Sequence, residues 1–190
     1  MAVIAVDVDG VLADFCGGFA DYVSRRTGKS RSTLPNPTSW NFWGEWGLTA
    51  EQFYELFGFF GEAGAFGQCP IYPEAREGLY ALREAGHRIL IATARGAERL
   101  SSPQFKRKVQ EDTIEWLSKH DLPFDDLCFV HDKGLLRASV LLDDATHNLT
   151  RASEVGIKAV CFDQPYNQDW KGDRVRNWAA CLQDMEVFNV

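Results

Sequence analysis

The chain has 190 residues, of which 45% are hydrophobic and 25% charged, proportions typical of a globular protein with one domain and room for a modest insertion. Its 27 acidic and 20 basic residues give a net charge of -7, which disfavours polymeric nucleic acid and anionic membranes as partners. No apolar stretch approaches the roughly 20 residues of a membrane span, and the apolar start at residues 2–6 is too short for a signal peptide. These features exclude collagen-like, disordered, membrane-spanning and small disulfide-rich secreted proteins.

Five short apolar runs predict β-strands. The runs are continuous rather than alternating, as expected of strands that are covered on both faces of a sheet. In chain order they are Ala2–Val6, Ile89–Ala92, Leu127–Val130, Val140–Leu142 and Ile157–Phe162. Helix-period segments lie between them, and this alternation indicates a parallel sheet with right-handed crossovers.

Two of the intervening helices carry start or stop signals. Residues Glu74–Ala85 have helical spacing, and Gly86 stands where a helix of that length would end. The next helix follows Ser102, a capping residue, with Pro103 at its first position. Its inward-facing side chains are predicted to be Phe105, Val109, Trp116 and Leu117. The predicted fold is α/β, a Rossmann-like parallel sheet with helices on both faces.

Residues 24–70 interrupt the alternation of strand and helix. This segment holds Pro35, Pro37 and, between residues 40 and 66, ten aromatic residues, and it is too long for a simple loop. We predict a small helical cap inserted after the first strand and helix, with most of the aromatic side chains forming its own core. The core domain would then comprise residues 1–23 and 71–190.

The five cysteines are at least 20 residues apart, so the Cys-x-x-Cys spacing of a zinc or redox site is absent. Cys128 and Cys161 lie inside apolar runs, where a thiol packs as a small hydrophobic group. We therefore predict structural thiols and a reducing, cytoplasmic environment.

Polar side chains follow four of the predicted strands. In chain order they are Asp7 and Asp9, Thr93, Lys133, and Asp143 and Asp144. Because the carboxyl ends of parallel strands meet at one edge of a sheet, we expect these residues to converge on one crevice. Carboxylates grouped with a lysine and a hydroxyl suit a magnesium ion bound together with a phosphoryl group.

Each of these groups also has a structural explanation. The pattern Asp-x-Asp-Gly begins calcium loops of the EF-hand type, but Gly17 and Gly18 stand near the position of the closing glutamate, and a strand precedes the pattern. Paired aspartates are common in turns, a threonine after a strand commonly caps a helix, and a lone lysine is commonly solvated. The joint occurrence of these residues at successive strand ends favours the functional interpretation.

These motifs, in this order, resemble the four motifs of the haloacid dehalogenase-like phosphohydrolase superfamily. More narrowly, the sequence Asp-Val-Asp-Gly-Val-Leu-Ala-Asp-Phe-Cys-Gly-Gly-Phe, the triplet Asn41-Phe42-Trp43 and the ten-residue step from Lys133 to Asp143 resemble the 5′(3′)-deoxyribonucleotidase family. The similarity covers most of the chain in order and is weakest in the cap.

The resemblance implies a two-step phosphoryl transfer through an aspartyl-phosphate. Asp7 would be the nucleophile. Asp9 would protonate the leaving oxygen and then accept a proton from water. Gly10 would let the backbone bend so that both carboxylates face the phosphorus.

The resemblance also implies a Mg²⁺ ion and a phosphate-binding set. The ion would be held by the Asp7 carboxylate, the Asp9 backbone carbonyl and Asp144, with Asp143 positioning a metal-bound water or Lys133. Lys133 and the Thr93 hydroxyl would bind phosphoryl oxygens.

Candidates for substrate binding follow from the same resemblance. Phe15, Phe42 and Trp43 match positions that surround the nucleoside, although these rings would equally serve as core of the cap. Arg95 is a further candidate to contact the phosphate or the base edge, unless it is simply solvated. The family usually has a serine after the motif threonine, and Ala94 at that position removes one hydrogen bond to the substrate.

We therefore expect a Mg²⁺-dependent phosphatase of small phosphomonoesters, with deoxyribonucleoside monophosphates as the preferred class, acting as a monomer or homodimer. One alternative is a phosphatase of another small metabolite or of a 3′-phosphate at a nucleic-acid end, the latter disfavoured by the net charge of -7. A second alternative is a non-catalytic nucleotide-binding module, which the presence of Asp7 and Asp9 argues against.

Overall fold

The computed structural model describes residues 1–97 and 102–189. Its centre is a six-stranded parallel sheet with the strand order β3-β2-β1-β4-β5-β6. The strands are β1 (Val3–Val6), β2 (Arg88–Thr93), β3 (Asp126–Phe129), β4 (Val140–Asp143), β5 (Lys158–Phe162) and β6 (Arg174–Val175). The five predicted runs correspond to β1 through β5, which confirms the Rossmann-like fold. The sequence does not predict β6, because two residues carry no hydrophobic pattern.

Helices cover both faces of this sheet. They are α1 (Phe15–Thr27), α2 (Ala50–Glu62), α3 (Ala75–Glu84), α4 (Pro103–Lys119), α5 (Thr146–Glu154) and α6 (Trp178–Gln183). Along β1, Ile4 and Val6 join a larger apolar core, whereas Ala5 joins a smaller core that lies against α5. Within residues 1–97 and 102–189, every helix is too short or too polar to cross a lipid bilayer.

The helix ends follow the predicted local signals. The Ser102 hydroxyl oxygen accepts the backbone N–H three residues on, with Pro103 at the first helical position, so α4 begins as predicted. Gly86 follows α3 with φ at 83°, in the left-handed region that ends helices. Asp14 caps α1 by accepting the backbone N–H of Gly17 at 2.8 Å, which ties down the turn after β1.

Residues 24–70 contain α2 and three short 3₁₀ turns at Arg31–Thr33, Phe42–Gly44 and Ala65–Gln68. Many of their aromatic side chains are buried, but they do not form a core confined to this segment. Phe19 of α1 packs edge-on against Phe53 and Phe60, with ring centroids 5.3 Å apart in both pairs. The aromatic cluster therefore joins α1 to the segment instead of closing on itself.

The C-terminal helix α6 docks on its own chain. Trp178 is completely buried, and its indole Nε1 donates to the backbone carbonyl of Val11 at 2.8 Å. A Cβ added at Gly78 of α3 would lie 2.1 Å from the Trp178 ring. Glycine at this position therefore leaves room for the indole.

The strand order changes direction at β1, in the centre of the sheet. β1 lies between β2 and β4, with Val6 in register with both Ile91 and Leu142. The chain connections that follow β1 and β4 leave the sheet on opposite sides, which opens a crevice at the carboxyl ends of these two strands. Ligands of α/β proteins bind in such crevices.

Candidate active site

The polar residues predicted from the strand ends converge at this crevice. Asp7 follows β1, Thr93 ends β2, Asp143 ends β4, and Lys133 begins a 3₁₀ turn after β3. One cavity of about 370 Å³ is lined by Asp7, Asp9, Thr93, Lys133 and Asp144. Asp143 is fully buried and connects to this group through Lys133.

Lys133 is a buried cation held between two carboxylates. Its side chain is 1% exposed, with Nζ 2.8 Å from Asp7 Oδ1 and 2.5 Å from Asp143 Oδ2. Burial alone would lower the pKa of Lys133, but Asp143 and Asp7 raise it above its ordinary value. The amine therefore stays protonated and presents a fixed positive charge beside Asp7.

Asp143 has little bonding capacity left for a ligand. Besides Lys133, its oxygens accept the backbone N–H of Ala145 at 2.8 Å and the side-chain amide of Asn148 at 3.2 Å. A carboxylate that is fully buried and bonded on both oxygens is suited to orienting Lys133 and less suited to binding a substrate.

Asp7 and Asp144 are buried acids in an excess of negative charge. Burial, together with Asp143 and Asp9, raises the pKa of Asp7 to about 7, although Lys133 opposes the shift. Burial, followed by the charges of Asp143 and Asp7, also raises the pKa of Asp144. The fold thus gathers more carboxylates than its own lysine neutralises.

This charge imbalance fits a divalent cation. Oxygen atoms of Asp7, Asp143 and Asp144 lie within 4.8 Å of one another, which concentrates negative charge in a small volume. Hard carboxylate oxygens of this kind, in a cavity with room for water and substrate, are the ligands that Mg²⁺ prefers.

Asp9 makes a two-pronged ion pair with Arg95. Arg95 Nε donates to Asp9 Oδ2 at 2.9 Å, and Nη2 donates to Oδ1 at 2.6 Å. Arg95 is 2% exposed, and its guanidinium lies 4.9 Å above the ring of Phe66, whose carbonyl it also contacts. The solvated alternative for Arg95 is therefore wrong, and its guanidinium is directed at Asp9.

Thr93 keeps a free hydroxyl proton at the cavity. It is buried, and its Oγ1 accepts the backbone N–H of Arg95 at 3.2 Å. Among the described residues nothing accepts the Thr93 O–H, which leaves it available to a ligand oxygen. Ala94 also lines the cavity and offers no hydroxyl there.

The three aromatic candidates all line the cavity but differ in how far other rings engage them. Phe15 stacks on Phe19 at 5.5 Å, and Phe42 is 7% exposed with its ring 4.8 Å from Trp46. Both belong largely to the aromatic cluster. Trp43, like Phe15, is only partly buried, so both of these rings offer part of their surface to a ligand.

Other cavity residues were assigned no role from the sequence. They include Trp40, Tyr54, His131, His147, Asn148 and Tyr166. Tyr166 donates its hydroxyl proton to Asp144 Oδ2 at 2.5 Å, and burial raises the pKa of this phenol well above its ordinary value. Tyr166 follows β5 by four residues, so the sequence predicts that its loop lies at the carboxyl edge of the sheet. Nothing in the sequence distinguishes this tyrosine from one without a role in the site.

The fold is shared with solved phosphatase structures. A proposed phosphatase of Clostridium acetobutylicum superposes with a TM-score of 0.61 at 12% identity, covering 99% of this chain and 98% of that one. The D,D-heptose 1,7-bisphosphate phosphatase of Burkholderia thailandensis gives 0.53 at 11% identity, with 98% and 99% covered. The fold is that of the haloacid dehalogenase-like phosphohydrolases, as the sequence motifs predicted.

Sequence similarity identifies the family within this class. The family model described as 5′ nucleotidase, deoxy (pyrimidine), cytosolic type C protein matches residues 1–188. A proposed 5′(3′)-deoxyribonucleotidase of Chlorobaculum tepidum is 32% identical over 188 residues, 98% of this chain and 91% of that one. The chain belongs to this deoxynucleotidase family and is a phosphatase, which confirms the resemblance drawn from its motifs.

Proposed function

We propose that this phosphatase hydrolyses deoxyribonucleoside monophosphates through a covalent phosphate on Asp7. The observation that carries the proposal is the position of Asp7, whose carboxylate lies 2.8 Å from the Lys133 ammonium in a cavity that is also lined by aromatic rings. A nucleophile beside a fixed cation suits a phosphate dianion, and flat rings suit a base.

In the first step, an Asp7 oxygen attacks phosphorus while the bond to the ester oxygen breaks, and Asp9, which carries a proton in the substrate complex, gives that proton to the leaving oxygen. In the second step, Asp9 removes a proton from water, the water oxygen attacks phosphorus, and the bond to Asp7 breaks. Lys133 and Thr93 bind the phosphoryl oxygens in both steps. Inorganic phosphate leaves, and both aspartates regain their starting states.

Mg²⁺ would be held by the Asp7 carboxylate, the Asp9 carbonyl and Asp144. When bound, it neutralises charge on the phosphate and on the carboxylates around it. Asp143 would hold Lys133 in place beside this set.

We further propose that residues 24–70 act as a substrate-selecting cap on a catalytic core formed by residues 1–23 and 71–190. The cap contributes Trp40, Phe42 and Trp43 to the cavity, whereas the carboxylates and Lys133 come from the rest of the chain. Chemistry and selectivity would thus reside in different segments.

A cytoplasmic location and a monomeric or homodimeric state complete the proposal. All five cysteines are free thiols, in keeping with a reducing compartment. The net charge of -7 supports a small substrate over a nucleic-acid polymer.

The test is a comparison of turnover in Mg²⁺ with dUMP, dTMP, CMP, AMP and a sugar phosphate as substrates. We expect the deoxyribonucleotides to give the highest kcat/KM. Faster turnover of the sugar phosphate than of every nucleotide would reject the nucleotidase assignment and favour a phosphatase of another small metabolite.

Replacing Trp43 with alanine should weaken nucleotide binding selectively. Loss of one base-stacking ring costs roughly 1–3 kcal/mol, so KM for dUMP should rise by about 5-fold to 150-fold with little change in kcat. Glycerol phosphate has no base to stack, and its KM should be unchanged. An equal rise in KM for both substrates would show that Trp43 supports the cap and does not contact the base.

Replacing Arg95 with methionine separates two roles for this arginine. If Arg95 positions Asp9 for proton transfer, turnover of an alkyl phosphate should fall by about 10-fold to 100-fold. Turnover of p-nitrophenyl phosphate should fall less, because its leaving group needs little protonation. If Arg95 binds the phosphate instead, KM should rise alike for both substrates. Circular dichroism of the variant checks that the fold is retained.

A further inference from the structure

The loop between β5 and β6 contacts both segments that carry the proposed metal ligands. Gln164 Nε2 donates to the backbone carbonyl of Gly10 at 2.7 Å. Tyr166 donates to Asp144 Oδ2 at 2.5 Å, and Asn167 Nδ2 donates to the Asp144 carbonyl at 2.8 Å. Three side chains of one loop thus hold the turn after β1 and the end of β4.

This loop is itself firmly anchored. Asn167 is 1% exposed and accepts two hydrogen bonds from Arg174 of β6, one on Oδ1 and one on its carbonyl, both at 2.8 Å. Asn167 Nδ2 also donates to the carbonyl of Phe162 at the end of β5 at 2.8 Å. The loop can therefore fix the position of whatever its side chains contact.

The Asp144 carboxylate depends on Tyr166 for its orientation. In residues 1–97 and 102–189, the Tyr166 hydroxyl is the one protein donor to this carboxylate, and it engages Oδ2 and leaves Oδ1 unbonded. A Cβ added at Gly10 would lie 2.2 Å from Asp144 Oδ2 and 2.9 Å from the Tyr166 hydroxyl, so the pair is seated closely against the backbone there.

The ring of Tyr166 is held from the opposite segment. Trp40, which lies in the proposed cap, packs edge-on against it with centroids 5.8 Å apart. The phenol is thus held between the cap and Asp144, in a position that a freely rotating side chain would not keep.

We propose that Tyr166 is a positioning residue that orients Asp144 for binding a divalent cation. The inference rests on the proposed function, because it takes Asp144 as a metal ligand. A hydrogen bond to one carboxylate oxygen directs the other toward the ion, and partners of this kind tune metal affinity.

The test is the Tyr166→Phe variant, which keeps the ring and its contact with Trp40 and removes only the hydroxyl. Mg²⁺ binding is measured by titration calorimetry without substrate, and the Mg²⁺ concentration for half-maximal hydrolysis of p-nitrophenyl phosphate is measured separately. We expect the dissociation constant for Mg²⁺ and the Mg²⁺ concentration for half-maximal hydrolysis both to rise by about 10-fold to 100-fold. The kcat at saturating Mg²⁺ should be close to that of the wild type.

The matched control is Tyr80→Phe, which removes a hydroxyl that also lies next to an aspartate, Asp121, on the exposed surface. Its Mg²⁺ affinity should equal that of the wild type. Thermal unfolding in EDTA checks that Tyr166→Phe is folded, and the Mg²⁺-induced rise in its Tm gives a second measure of affinity.

The outcomes separate this inference from the proposed function. A Tyr166→Phe protein that binds Mg²⁺ within twofold of the wild type overturns the inference, while the phosphatase assignment stands. Equal loss of affinity in both variants also overturns it. A wild-type protein that hydrolyses phosphomonoesters without binding Mg²⁺ overturns the metal-binding role of Asp144 and the inference with it.

Discussion

Replacing Asp7 with asparagine should lower turnover on the order of a thousandfold or more, because an amide nitrogen does not attack phosphorus. The fold should be retained. Asparagine has nearly the same shape, Lys133 keeps its contact with Asp143 at 2.5 Å, and one buried negative charge is removed. The measurement is hydrolysis of p-nitrophenyl phosphate in Mg²⁺, with Tm as the check on folding.

A matched control for Asp7→Asn is Asp121→Asn, which makes the same chemical change at an exposed aspartate. It should retain full activity. If Asp7→Asn kept more than a tenth of the wild-type rate, the covalent mechanism assigned to Asp7 would be wrong.

The second large effect is expected for Lys133→Met. Methionine fills much of the same volume but leaves Asp7 and Asp143 without their shared cation in a buried site. Removing one partner of a buried ion pair typically lowers the free energy of unfolding by about 3–5 kcal/mol. Turnover should fall by at least about a hundredfold, because the transferring phosphoryl group also loses a charge partner.

Lys158→Met is the corresponding control on the surface. Lys158 is 30% exposed and lies 3.6 Å from Asp173, so its loss should cost about 1 kcal/mol or less. Urea denaturation of both variants gives the comparison. Equal costs would contradict the account of Lys133 as a buried cation whose position depends on two carboxylates.

Features of the fold that depend on local pattern were predictable from the sequence. Buried parallel strands favour continuous apolar runs, and each of the five predicted runs forms a strand, although β3, at the edge of the sheet, is only partly buried. The Ser102-Pro103 start of α4 was predictable because a cap acts within one turn. The two-residue strand β6 has no such pattern, because its pairing depends on neighbours distant in the chain.

The same distinction holds for the candidate site. Strand topology alone brings Asp7, Lys133 and Asp143 together across more than 130 residues, since parallel strands share one carboxyl edge. The pairing of Arg95 with Asp9 and the bond from Tyr166 to Asp144 depend on side-chain reach and rotamer. Neither follows from position in the sequence.

The extent of the aromatic cluster could not be predicted from the sequence either. A dense run of rings predicts a buried core, but not which elements share it. Phe19 of α1 lies at the centre of that core, so residues 24–70 pack directly onto the helix that follows the proposed nucleophile. The position of a ring within residues 24–70 therefore does not determine whether it faces a ligand or another ring.

Hydrolysis of p-nitrophenyl phosphate with Mg²⁺, then with EDTA, then with Mg²⁺ restored, tests the central claim most directly. Clustered carboxylates opposite Lys133 should give turnover that EDTA abolishes and added Mg²⁺ recovers. Turnover that is unchanged by EDTA, or binding of phosphomonoesters without any turnover in Mg²⁺, would contradict the account.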